Sequence, residues 1–140
     1  MAQAEAYREL VTARAGGVCE YCRLVQAGSG VTFHLDHVIP PDRGGETALG
    51  NLALCCPSCN LAKANKTSAP DREGRKQPLY NPRLFDPSSL GWHLHFELDR
   101  ETGIVRPLTP TGEATVDALR MNESRRVFAR KLQIKAGLLG

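Results

Sequence analysis

The sequence lacks any apolar run long enough to cross a membrane. Residues 1–9 also lack the apolar segment of a secretory signal, and no internal repeat or low-complexity tract is present. These absences lead us to expect a cytoplasmic protein with no membrane partner. Charge of one sign does not dominate either, since 18 Lys and Arg face 15 Asp and Glu. Overall composition therefore gives no strong nucleic-acid signal.

The small excess of positive charge is unevenly placed. Residues 19–66 carry 4 basic and 4 acidic side chains, whereas residues 100–140 carry 8 basic and 4 acidic ones. The surplus therefore lies in the last forty residues, where it either contacts a polyanion or is simply solvated on a helix.

Cysteine is present in an odd number, five, and four of these residues form two pairs. Cys19 and Cys22 are separated by two residues, as are Cys56 and Cys59, which is typical of a closed tetrahedral zinc site. A reducing compartment favours this reading over the alternative of two disulfides and one free thiol. Cys55 could replace Cys56 as a ligand, but only Cys56 gives the two-residue gap. We therefore expect Cys55 to be a small buried hydrophobe.

The 33 residues between Cys22 and Cys56 exceed the spacing of a plain zinc ribbon and must fold back on themselves. Residues 31–36 alternate in polarity, which predicts a half-buried strand whose apolar face is Val31, Phe33 and Leu35. Residues 51–54 can supply a second strand, and residues 58–66 predict a short helix. So small a region needs a metal to be stable. The pattern predicts a compact ββα unit held by the cysteines.

The remaining elements are predicted from periodicity and caps. They are a helix over 2–15 with Ala6, Leu10 and Val11 at helical spacing, a strand over 92–98, a loop over 99–103, a strand over 104–108, a helix near Glu113, and a last helix from an Asn122 cap to about Leu138. Residues 67–87, rich in proline, glycine and charge, predict an extended linker or wrapping loop.

A polar cluster lies between and beside the cysteine pairs. Its members are of types that bind a hard cation or move a proton: His34, Asp36, His37, Asn51, Asn60 and Lys63. His34 and Asp36 share the polar face of the first predicted strand, and Asn60 and Lys63 share one face of the helix. This arrangement indicates a metal-dependent hydrolase on a zinc-held scaffold.

The motifs together resemble the HNH endonuclease family. They are Cys19-Glu-Tyr-Cys22, His34-Leu-Asp-His-Val-Ile-Pro40, Gly44-Gly45, Asn51-Leu52 and Cys56-Pro-Ser-Cys-Asn60-x-x-Lys63. They match the branch with four zinc-binding cysteines and Asn at the last signature position, over about residues 14–66. The segments Tyr80–Arg83, Trp92–Phe96 and Leu108–Gly112 resemble, more loosely, the C-terminal extension of many bacterial members.

The resemblance implies a role for each matching residue. His37 is expected to be the general base that deprotonates water, and Asn51 to tie down the loop that orients it. Asp36 and Asn60 are expected to bind one divalent cation, Mg²⁺ or Mn²⁺, whose preference is for oxygen ligands. Attack on phosphorus with a cation at the 3′ oxygen would leave 5′-phosphate and 3′-hydroxyl ends.

Several other side chains have two possible roles. Lys63 grips a phosphate or is solvated, and His34 joins the metal or substrate or is a surface residue. One face of a predicted strand carries His93, His95 and Glu97. This face could form a second site, or it could simply be exposed to solvent. The last helix offers basic residues to the DNA backbone, or packs through Val127, Phe128, Leu132 and Leu138. Those basic residues are Arg125, Arg126, Arg130, Lys131 and Lys135.

The sequence therefore predicts a small α+β protein with a ββα-metal (His-Me finger) core stapled by a four-cysteine zinc site. Flanking helices and a C-terminal hairpin-plus-helix extension complete it. We expect residues 1–66 to hold the nuclease core, 67–87 the linker and 88–140 the extension, as one compact unit. The expected function is metal-dependent hydrolysis of DNA. The alternative is a catalytically inactive, zinc-stabilised nucleic-acid-binding or adaptor module.

Overall fold

The computed structural model describes residues 2–84 and 89–139. Its helices are α1 (Ala2–Glu5), α2 (Arg8–Ala15), α3 (Pro57–Lys63), α4 (Ser89–His95), α5 (Pro110–Ala118) and α6 (Ser124–Lys135). Its strands are β1 (His34–His37), β2 (Leu52–Cys55), β3 (Ser68–Pro70), β4 (Lys76–Pro78), β5 (Phe96–Leu98) and β6 (Val105–Pro107). The described strands pair as three antiparallel two-stranded sheets, which confirms a small α+β fold. None of the described helices has the length and apolar character needed to span a bilayer.

The predicted ββα unit is present as β1, β2 and α3. The two strands pair antiparallel with His34 opposite Cys55 and His37 opposite Leu52. However, β1 begins three residues later than its alternation predicts, and Val31 is exposed. The backbone N–H of Phe33 donates to the Gln26 side chain instead of to a partner strand, which explains the late start.

Helix α3 begins at a zinc-type knuckle and ends early. Cys56 caps it, because its sulfur accepts a hydrogen bond from the N–H of Cys59, and Pro57 occupies the first turn. The helix stops at Lys63 rather than near Lys66, because Ala64 has a positive φ of 50°.

The N-terminal region forms two helices where the sequence predicts one. Helix α1 ends at Glu5, and α2 ends at Ala15, after which Gly16 adopts the left-handed conformation. Val11 is buried, whereas Leu10 is exposed and does not join the core. Arg14 holds α2 against the ββα unit by donating to the carbonyl oxygens of Leu49 and Leu52.

Residues 67–84 are more ordered than the predicted linker. Strands β3 and β4 form a hairpin whose turn is closed by Asp71, which accepts the N–H groups of Glu73 and Arg75. The chain then docks on α5, where the Tyr80 N–H donates to the Thr115 hydroxyl at 2.8 Å. The segment therefore packs against the extension, and its end at Pro87 lies outside the described residues.

The prediction of a strand over residues 92–98 is wrong for its first half. Residues up to His95 are helical, and only Phe96–Leu98 extend into β5, which pairs with β6 across the predicted loop. Trp92 and Phe96 are both buried, and their ring centroids lie 5.1 Å apart. The Trp92 indole donates to the Tyr21 carbonyl at 2.8 Å and so joins the extension to the first cysteine knuckle.

Helix α6 begins at Ser124, not at an Asn122 cap, because Asn122 bonds both backbone groups of Val105 instead. Gln133 docks the helix by bonding the N–H and carbonyl of Val25 at 2.8 Å each. The buried residues of α6 are Arg126, Arg130 and Gln133, whereas Phe128, Leu132 and Leu138 are exposed. The apolar packing alternative is therefore wrong for these three residues.

The division of the chain after residues 66 and 87 stays a prediction.

Candidate active site and metal centre

The four paired cysteines converge on one point. The sulfurs of Cys19, Cys22, Cys56 and Cys59 lie within 4.8 Å of one another, and all four residues are buried. The Cys22 and Cys56 sulfurs are 3.6 Å apart. Zinc–sulfur bonds of 2.3 Å in a tetrahedron place sulfurs about 3.8 Å apart, so the cluster fits zinc. The cysteines are free thiols, which rules out the disulfide alternative in this structure.

Cys55 lies outside the cluster, as the spacing predicts. It is fully buried, and its sulfur donates to the Cys56 carbonyl at 3.5 Å. Burial raises the pKa of the Cys55 thiol well above its usual value. Cys55 is thus a small buried side chain beside the ligand set.

Arg126 contacts the cysteine cluster rather than solvent. Its Nη2 lies 2.7 Å from the Cys59 sulfur, and its Nη1 donates to the carbonyls of Leu119 and Arg120. Burial alone would lower the pKa of Arg126, but the cysteine sulfurs, Cys59 first, raise it. The guanidinium is therefore held as a cation against the sulfurs, where it offsets part of the charge of a four-thiolate metal site.

Two of the predicted DNA contacts are therefore wrong. Arg126 is buried against the cluster, and Arg130 is fully buried and donates to the carbonyls of Gly103 and Met121. Neither guanidinium is available to a phosphate. Arg125 is exposed and Lys131 half-exposed, so these two stay candidates.

Asp36 is buried and held by two side chains. Its Oδ2 accepts a hydrogen bond from the Tyr21 hydroxyl at 2.8 Å, and the Lys63 ammonium lies 3.2 Å from the same oxygen. Burial raises the pKa of Asp36, against the opposing effects of Lys63 and the Tyr21 hydrogen bond. Lys63 also donates to the carbonyls of His37 and Val38. Both predicted roles of Lys63, phosphate grip and solvated charge, are wrong, because its ammonium is enclosed by these oxygens.

His37 ends β1, and its ring is half-buried. Its Nε2 forms a hydrogen bond of 2.8 Å with the Thr47 hydroxyl. Among the described residues Nδ1 has no hydrogen-bond partner, so one ring nitrogen is fixed and the other is open. This arrangement suits a group that accepts a proton from water.

Asn51 ties the loop that carries Thr47 to the end of β1. Its amide accepts from the N–H of Ile39 at 2.9 Å and donates to the carbonyls of Ile39 and Glu46. Gly45 lets the loop approach so closely, because a Cβ there would lie 1.6 Å from the Ile39 carbonyl oxygen. The expected tying of this loop by Asn51 is thus present in its hydrogen bonds.

One surface pocket gathers the central predicted residues. Asp36, His37 and Asn60 line it together, with the polar side chains of Asp42 and Asn65 at its edge. The Asn60 amide has no hydrogen-bond partner among the described residues, so its oxygen is free to bind a cation. His34 is exposed and does not line the pocket, so the structure does not bring it to the site.

The second possible site does not form. His93 and His95 lie on α4, and Glu97 lies on β5, so they do not share one strand face. His95 bonds the Thr109 hydroxyl at 2.7 Å, and burial lowers the pKa of its imidazole. Glu97 pairs with Arg106 on the exposed side of the hairpin.

Sequence reasoning missed two side chains that contact the central residues, Tyr21 and Thr47. Tyr21 lies between two metal ligands, and its aromatic ring marks it only as a core residue. Thr47 lies in an irregular loop, where no periodicity predicts the direction of a side chain. The sole signal was proximity to the motifs, since each lies within three residues of a signature position.

Comparison with known proteins agrees with this geometry. A family model described as HNH endonuclease matches residues 19–66, which span both cysteine pairs and the pocket residues of β1 and α3. No curated protein and no solved structure matches the chain significantly. Residues 19–66 thus match the HNH endonuclease family, and their four cysteines have the arrangement of a zinc site.

Proposed function

We propose that the chain is a metal-dependent endonuclease that hydrolyses DNA phosphodiester bonds. The observation that carries this proposal is the single pocket shared by Asp36, His37 and Asn60 beside the four-cysteine cluster. The family match over residues 19–66 supports it. Free thiols at every cysteine suit the reducing conditions of the cytoplasm, where we place the protein.

His37 acts as the general base in this proposal. Thr47 fixes Nε2, and Asn51 fixes the loop that carries Thr47. With the proton of the imidazole directed at Thr47, Nδ1 has a free lone pair and takes a proton from the attacking water. The orientation of the ring is thereby set before substrate binds, which reduces the entropic part of the barrier.

Asp36 and Asn60 would hold one divalent cation, Mg²⁺ or Mn²⁺, since a carboxylate and an amide oxygen suit a hard ion. When bound there, such a cation would supply stabilisation of the negative charge on the leaving 3′ oxygen, and the products would carry 5′-phosphate and 3′-hydroxyl ends. The cysteine set offers no open position, so zinc there holds the fold and takes no part in hydrolysis.

The alternative function is a zinc-stabilised nucleic-acid-binding or adaptor module without catalysis. One observation favours it, because the Lys63 ammonium lies 3.2 Å from Oδ2 and 3.4 Å from Oδ1 of Asp36 and so balances the charge of this carboxylate without a metal ion. A nicking assay separates the two functions directly.

The experiment is plasmid cleavage in EDTA, then with Mg²⁺ and with Mn²⁺, using wild type, His37→Ala and His34→Ala. Loss of the base is expected to reduce cleavage by roughly 10²–10⁴-fold. His34→Ala is the matched control, because its exposed imidazole lies outside the pocket, and it should cleave like wild type. Equal zinc content in all three proteins excludes misfolding. Cleavage by His37→Ala within a few-fold of wild type would remove the base assignment.

A wild-type protein that is zinc-loaded, folded and inactive with every cation would favour the alternative module instead.

A further inference from the structure

The Asp36 carboxylate is held by two donors in a dry environment. The Tyr21 hydroxyl is 2.8 Å from Oδ2, and the Lys63 ammonium is 3.2 Å from Oδ2 and 3.4 Å from Oδ1. Tyr21 is fully buried, and Asp36 and Lys63 are nearly so. Hydrogen bonds among buried charged groups are stronger than those at a surface, because water does not compete for them.

Both donors are supplied by segments that the cysteine cluster joins. Tyr21 lies between Cys19 and Cys22 in the first knuckle. Lys63 lies one helical turn after Cys59 on α3. The two halves of the cluster thus each place one donor on the same carboxylate, although the cluster itself contributes no oxygen ligand.

These contacts leave limited room on the carboxylate. An ionised carboxylate offers about four lone-pair sites, two on each oxygen. Tyr21 takes one site on Oδ2, and Lys63 takes one on Oδ1. One site on each oxygen is left for a cation, so the two donors set the orientation in which the carboxylate meets it.

The Tyr21 hydroxyl has no other partner among the described residues, and its ring is packed edge-on against Tyr80 with centroids 6.5 Å apart. A phenylalanine would fill the same space. Since a buried hydroxyl is unfavourable unless it is bonded, the one bond it makes accounts for its presence.

We propose that Tyr21 is a positioning residue for the catalytic cation, through which the zinc knuckle fixes the Asp36 carboxylate in its ligating orientation. Lys63 holds the same carboxylate from α3. This inference rests on the proposed function, because it requires Asp36 to be a cation ligand. It assigns to the cysteine cluster a part in cation affinity as well as in folding.

The test is a Mn²⁺ titration of the zinc-loaded full chain, in which the electron paramagnetic resonance signal of free Mn²⁺ is measured at each step. The proteins are wild type, Tyr21→Phe, Tyr80→Phe and Asp36→Asn. Loss of a partner that orients a ligand typically weakens metal binding 10–100-fold, and we expect Tyr21→Phe to show a weakening in this range. Tyr80→Phe is the matched control, since it removes a hydroxyl from the adjacent ring, and its affinity should stay within twofold of wild type.

A kinetic readout separates positioning from loss of structure. In Tyr21→Phe the Mn²⁺ concentration for half-maximal cleavage should rise by the same factor, and the rate at saturating Mn²⁺ should return close to wild type. A structural defect would lower the saturated rate and the zinc content without moving the Mn²⁺ midpoint.

The outcomes that overturn the proposal are distinct. If Asp36→Asn weakens Mn²⁺ binding but Tyr21→Phe does not, the positioning role is wrong and the proposed function stands. If Asp36→Asn binds Mn²⁺ as tightly as wild type, both the cation assignment and the positioning role fail. A Tyr21→Phe protein that loses zinc or does not fold would assign the hydroxyl to stability alone and would equally overturn the proposal.

Discussion

In the imidazole of His37, Nε2 is held by a hydrogen bond with Thr47, whereas Nδ1 has no partner among the described residues. Its hydroxyl forms a hydrogen bond of 2.8 Å with Nε2, and Thr47 is itself placed by the loop that Asn51 ties down. The loop can close only because residue 45 is glycine. A short series of contacts thus fixes Nε2 and leaves Nδ1 without a hydrogen-bond partner among the described residues.

Thr47→Val should slow cleavage roughly tenfold, because it removes one hydrogen bond of about 1–1.5 kcal/mol without changing side-chain volume. Thr47→Ser keeps the hydroxyl and should cleave within about threefold of wild type. Single-turnover rates at saturating Mn²⁺ measure this effect. Equal rates for Thr47→Val and Thr47→Ser would show that Thr47 does not orient the base.

Residue type and spacing identify the candidate metal ligands and the candidate base in the sequence. They do not identify which other side chains contact those residues in the fold. Paired cysteines, Asp36, His37 and Asn60 are recognisable because metal ligation and proton transfer demand those side chains at those intervals. Tyr21 and Lys63 carry no such demand, since a tyrosine or lysine at these positions fits many roles. Their contact with Asp36 depends on how the knuckle and α3 pack, which is tertiary information.

The sequence predicts secondary structure correctly where the spacing of the apolar residues fits either a strand or a helix but not both. The hairpin of β1 and β2, helix α3 and the hairpin of β5 and β6 were found in this way. The prediction is wrong for residues 92–95, because Trp92, Leu94 and Phe96 fit a strand period, while the four-residue spacing of Trp92 and Phe96 also fits a helix. Leu94 is exposed in the structure, so the helical period is the one that packing selects.

Helix α6 inverts the usual pattern of an amphipathic helix. It buries two arginines, which find carbonyl and sulfur acceptors, and exposes Phe128 and Leu132. A pattern rule treats arginine as a surface residue, so it predicts the wrong face. The acceptors that make burial tolerable lie in other segments and cannot be read from the helix itself.

This inversion narrows the predicted DNA contacts on α6 to Arg125 and Lys131. The double change Arg125→Ala with Lys131→Ala should weaken binding to every DNA sequence. It should also make the dependence of log affinity on log salt shallower by about 1.8, or roughly 0.9 per lost phosphate contact. Binding is measured in EDTA over a salt series.

The control for this experiment is Arg75→Ala with Lys76→Ala, which removes the same charge from the exposed β3–β4 hairpin. Its slope should stay closer to that of wild type. If both double variants change the slope equally, the effect reports net charge and α6 has no special contact with DNA.

The molecule as a whole is organised around the cysteine cluster. The first knuckle receives the Trp92 indole, Gln133 bonds Val25, and Arg126 contacts Cys59. Helices α4 and α6 therefore both contact the region of the cysteine cluster. Since each short sheet has only two strands, this convergence supplies much of the long-range order.

We expect about one zinc ion per chain, and Cys19→Ala should lose both the metal and most of the folded signal, because structural zinc binding is folding free energy. Cys55→Ala is the matched control, being an equally buried cysteine outside the ligand set, and it should keep its zinc. Elemental analysis and far-ultraviolet circular dichroism measure both. Zinc loss by Cys55→Ala would mean that the ligand set is different.

Residues 19–66, transplanted alone into another protein, would leave behind contacts that the rest of the chain makes with them. The Cys59 sulfur receives its guanidinium donor from Arg126, which is 67 positions away along the chain. Excised at the family boundary, the motif would exchange that donor, and the Trp92 and Gln133 bonds, for bulk water. The segment that the family model matches is therefore shorter than the stretch of chain whose side chains surround its cysteine cluster.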